Sequence, residues 1–71
     1  MNREQHLKLA GAAVTRAERL AGDAERYAGS ADPNRYSQTA RYAEAGALWA
    51  DIARTHAAIA AAMTETETAD A

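Results

Sequence analysis

The chain has 71 residues, no cysteine, a net charge of −2 and an apolar share of 48%. Such a length supports one small domain at most, and the lack of cysteine excludes disulfides and thiolate metal centres as its staples. Twenty-one of the residues are alanine, which forms helix readily but buries little area.

The large aliphatics reduce to Leu7, Leu9, Val14, Leu20, Leu48, Ile52 and Ile59. Glu65, Glu67 and Asp70 fall in the last eight residues, so residues 1–63 carry eight basic and seven acidic groups. A nearly neutral body argues against the strong field that phosphate recognition uses. The stretch from Met1 to Leu9 has no apolar core of a signal peptide. The longest apolar run, Ala57 to Met63, falls far short of the roughly 20 residues that span a bilayer. A cytoplasmic location is the expectation, in keeping with the missing cysteine.

The first predicted element covers about residues 3–29. Leu7, Ala10, Val14, Ala17, Ala21, Ala24 and Ala28 alternate steps of three and four, and His6, Ala13, Leu20 and Tyr27 flank them. Together they form one apolar stripe of a helix. Glu4 with Lys8 and Arg19 with Asp23 are spaced to pair along it. Gly11 and Gly22 interrupt it, each costing helix about 1 kcal/mol relative to alanine, and offer points of close helix approach.

A turn follows at residues 29–33. Gly29 marks a helix end, while Asp32 can cap the next helix with Pro33 at its first position, where no amide is needed. Ser30 is a competing cap. The second predicted helix covers about residues 33–63. Its main stripe is Tyr42, Ala45, Trp49, Ile52, His56, Ile59 and Met63, with Leu48 and Thr55 alongside. A second strip of mostly alanine runs through Tyr36, Ala40, Ala43, Ala47, Ala50 and Ala57. Apolar residues on two sides predict neighbours on two sides. The threonine and acid alternation of residues 64–71 has no large apolar group and is expected to be a disordered acidic tail.

The fold class that follows is all-α: an antiparallel two-helix hairpin over residues 1–63. Folding the chain about residue 31 sets Leu20 near Tyr42, Val14 near Leu48, Ala13 near Trp49, Ala10 near Ile52 and His6 near His56. One hairpin of this composition has little core, so two are expected to pair as a homodimer, in coiled-coil fashion, into a four-helix bundle. The expected interface comprises Leu7, Val14, Leu20, Tyr42, Leu48, Trp49, Ile52, Ile59 and Met63, with Trp49 as its anchor.

Chemistry is sparse. No nucleophile elbow, glycine-rich phosphate loop or Glu-x-x-His carboxylate pair occurs, so no catalytic residue, cofactor or small-molecule substrate is expected. His6 and His56 are the candidates for a metal site or a pH response, although a metal needs more ligands, of which Glu4 and Asp51 are nearest in sequence. Trp49, Ile52, Ala53 and His56 share their spacing with the first helix of a tetratricopeptide repeat, with alanine for glycine and histidine for tyrosine. Over some eight residues this resemblance reads as generic helix packing.

The functional expectation is a non-enzymatic protein–protein interaction or structural accessory module, self-associating and joined to a protein partner. The alternatives are a nucleic-acid-associated regulator and a metal- or pH-responsive bundle. The regulator would use Arg26, Arg35 and Arg41 with Tyr27, Tyr36 and Tyr42 at the hairpin tip.

Overall fold

The structure, a computed structural model, describes residues 1–70, with side chains described through Met63. The expected disordered tail at 64–71 lies outside the fully described residues. Helix α1 covers Arg3–Ala28, a single turn α2 covers Pro33–Tyr36, and α3 covers Thr39–Asp70. No strand occurs among the described residues. The long helices pack against each other as an antiparallel hairpin, a rod of 59 × 15 × 13 Å.

Asn2 opens α1. Its Oδ1 accepts from the Gln5 amide at 2.8 Å, and its own amide donates to Gln5 Oε1 at 2.8 Å. Two orphan donors of the first turn are thereby satisfied reciprocally. At the other end Gly29 has φ −86°, a conformation open to any residue, so its backbone freedom is not what stops α1. The stop lies just beyond. Ser30 Oγ accepts from the Asp32 amide at 3.1 Å, and Asp32 Oδ1 accepts from the Asn34 amide at 2.9 Å. Asp32 is extended at ψ 116°, as the residue before a proline prefers. Asp32 is thus the cap, with Pro33 at the first helical position, and Ser30 braces it.

The second helix does not run unbroken from Pro33. The Ser37 hydroxyl donates to the Asn34 carbonyl at 2.9 Å, and the Gln38 amide turns to Arg35 at 3.0 Å. A side chain that takes the carbonyl needed one turn later competes with the helix ladder. The ladder therefore restarts at Thr39.

The core between the helices is made of small residues. Ala10, Ala13, Ala24, Ala53 and Ala60 are buried, together with Gly46. Among the described residues no large side chain is fully buried. A buried methyl is worth about 0.8 kcal/mol, so such a seam stabilises weakly. Of the glycines, Gly46 is the one against which the opposing helix closes. A methyl group placed there would stand 3.5 Å from Leu20 Cβ and 3.6 Å from both the Ala17 carbonyl oxygen and the Ala21 amide. The close approach falls to Gly46, not to Gly11 and Gly22, around which nothing lies within 4 Å.

Candidate assembly surface

A seam of alanine leaves the bulkier side chains on two flanks. At about 100° per residue along α3, Ala43, Ala47 and Ala50 fall on one side of the line through Gly46, Ala53 and Ala60. Ala45, Trp49, Ile52 and Ile59 fall on the other. Along α1 the same arithmetic sets Leu7, Val14 and Ala21 on the first flank and Leu9, Arg16, Leu20 and Tyr27 on the second.

The first flank is an open groove of about 490 Å³. Ala17, Ala21 and Ala24 line it from α1 and Ala43, Ala47 and Ala50 from α3, with Glu18 the one charged residue among them. The second flank is aromatic and aliphatic. Arg16 lies over the Trp49 ring with its guanidinium carbon 4.7 Å from the centroid, a favourable cation–π placement. Tyr27 and Tyr42 meet near the tip, centroids 5.0 Å apart and planes tilted by 33°. Their hydrogen bond, followed by the charge of a Tyr27 phenolate, desolvation and the Asp23 carboxylate, raises the Tyr42 pKa above its ordinary value; the nearby Arg26 works weakly against this.

None of the nine expected interface residues is buried within the hairpin. Leu7, Val14, Leu48 and Ile59 are exposed, at 42%, 45%, 60% and 38%. Leu20, Tyr42, Trp49, Ile52 and Met63 are half-buried. The nine do not share one face, because Leu7 and Val14 stand on the alanine flank while Trp49, Ile52 and Ile59 stand on the aromatic one.

The fold about residue 31 holds at the open end and slips toward the tip. His6 and His56 meet, Nδ1 to Nδ1 at 2.9 Å, with centroids 5.1 Å apart. Trp49 lies beneath Arg16, and Tyr42 stacks on Tyr27, two turns beyond Leu20. Tyr36, one of the three tyrosines expected at the tip, is 61% exposed. Asp23 pairs with Arg26 rather than Arg19, and Asp51 with Arg54.

No group of three or more histidine, aspartate or glutamate side chains is placed to hold a metal among the described residues. His6 and His56 therefore stand as a pair. No helix among the described residues is long and apolar enough to cross a membrane. No protein-family model, curated protein or solved structure matches this chain.

Proposed function

We propose that the chain acts as a small self-associating helical module, non-enzymatic, whose working form is a pair of hairpins packed as a four-helix bundle. One observation carries this reading: among the described residues the hairpin buries only alanine and glycine, and Leu7, Leu9, Val14, Leu48 and Ile59 stand on its surface. A chain this short buries a small share of its surface alone, and a second copy is the simplest remedy. The aromatic flank is the better contact, because Trp49, Ile52 and Ile59 bring far more apolar area per residue than alanine. Arg16 over Trp49 fits such a site, since interface centres favour tryptophan and arginine together. A four-helix bundle so formed would present its alanine grooves outward to a protein partner.

The nucleic-acid reading is the weaker one. At the tip Arg26 is engaged by Asp23 and lies over Tyr27, and Tyr27 is stacked on Tyr42. Half of the arginine–tyrosine set is thereby engaged within the chain instead of being presented to bases.

Sedimentation equilibrium tests the assembly. The expected result is a dimer at micromolar concentration, with a melting temperature that rises with concentration. Leu48→Glu together with Ile59→Glu should give a monomer, because both sites are exposed on a single hairpin and the charges harm only an assembly. Ala47→Glu on the other flank should leave the dimer intact. A wild-type chain that is fully helical, stable and monomeric overturns the proposal.

A further inference from the structure

The open end of the hairpin is joined by two imidazoles that approach nitrogen to nitrogen. His6 comes from the second turn of α1 and His56 from α3, fifty positions later, and both rings are half-buried. The Nδ1 atoms lie 2.9 Å apart, a hydrogen-bond distance. Such a contact works only when one nitrogen donates and the other accepts.

From this geometry we infer that His6 and His56 form a proton-operated latch on the open end of the hairpin. In the neutral pair, one ring carries its proton on Nδ1 and donates it to the bare Nδ1 of the other. A first added proton goes to the outer Nε2 of the donor ring. The bond then survives and becomes charge-assisted, which strengthens it. A second proton has only the accepting Nδ1 to occupy. That nitrogen becomes a donor facing a donor, two positive rings face each other, and the contact is lost.

The sign of the pH dependence follows from the proton count. The unfolded or unlatched chain binds two protons on these rings, and the latched chain binds one. The first proton therefore costs the open end nothing, and its stability is lost only as pH falls far enough for the second proton to bind. Among the described residues no carboxylate lies one turn from either ring on its own helix. On α1 the charged residue one turn from His6 is Arg3, and Glu4 lies around the helix from it. On α3 the positions one turn from His56 are Ile52, Ala53, Ile59 and Ala60, while Asp51 pairs with Arg54. The single turn α2 lies at the opposite end. Both rings belong to one chain, so the latch does not rest on self-association.

Amide hydrogen exchange with chelator present reads the latch directly. Ala10 and Ala53 report the open end, and Ala24 reports the tip. Corrected for intrinsic rate, protection at Ala10 and Ala53 should fall about tenfold per pH unit once the second proton binds, the slope of a one-proton linkage. Protection at Ala24 should change far less. His56→Leu should abolish the pH dependence at the open end. Should that variant fold poorly, nitrogen-15 spectra of the wild-type rings decide the matter. One ring protonated on Nδ1 and the other on Nε2 near neutrality is the expected pattern. Two Nε2–H rings, or equal loss of protection at both ends, would overturn the inference.

Discussion

The two ends of this hairpin are fastened by the same device and undone by opposite conditions. At the open end His6 meets His56 with centroids 5.1 Å apart and planes tilted by 37°, and near the tip Tyr27 meets Tyr42 at 5.0 Å and 33°. As packing, the two contacts are nearly equivalent. As acids they are not. The imidazole pair fails by gaining a proton, and the phenol pair fails by losing one. The difference teaches that in a rod with so thin a core, local proton chemistry can decide which end lets go first.

The comparison assumes that the middle holds while either end moves, and the strongest way to break it is to wedge the middle apart. Even a methyl group at Gly46 would meet Leu20, Ala17 and Ala21 at contact distance. Gly46→Leu would force the helices apart and should destabilise by about 1–3 kcal/mol, the usual cost of overfilling a packed site. Thermal unfolding followed by circular dichroism measures this. Both ring contacts should be lost together, because they share one seam. Loss of one pair with the other intact would mean that the ends are not linked through Gly46.

A smaller effect, confined to the tip, is expected from Asp32→Ala. It removes the acceptor of the Asn34 amide, and loss of such a cap typically costs about 1 kcal/mol. Exchange should quicken at α2 and the first turn of α3, with the histidine end unchanged. An equal response at both ends would show that they do not open independently.

Much of this was legible because the signals are local. Asp32 and Pro33 announce a helix start through cap chemistry and a missing amide, whatever surrounds them. The meeting of His6 with His56 also came from counting, since antiparallel helices of equal rise keep their register. The Asn2–Gln5 box is local in the same way, asparagine three residues before glutamine being a capping pattern. What counting could not reach depends on the third dimension. Gly11, Gly22 and Gly46 are alike on paper, and only the seam reveals which one a neighbour presses. Ser37 breaks the second helix by reaching a carbonyl that an unbroken ladder would have used. The alanine strip on α3 predicted a second face, and the groove is that face, but no alanine pattern can say that Arg16 lies over Trp49.

The subtlest way to sharpen the contrast is to alter the tip's acid chemistry without altering its packing. Tyr27→Phe keeps the ring and removes the hydroxyl, and with it the leading cause of the raised Tyr42 pKa, the hydrogen bond between the two phenols. A phenol whose folded pKa is raised contributes stability below its unfolded pKa of about 10 and loses it as pH climbs through the folded value. The wild-type tip should therefore loosen only in strong alkali, after Tyr42 ionises. In the variant, Tyr42 should ionise at lower pH, nearer the ordinary phenol range, while the melting temperature near neutrality barely moves. Phenolate absorbance during an alkaline titration reads the midpoint. An unchanged midpoint would show that the rings touch without sharing a proton, and the tip would then differ from the histidine end in kind, not only in direction.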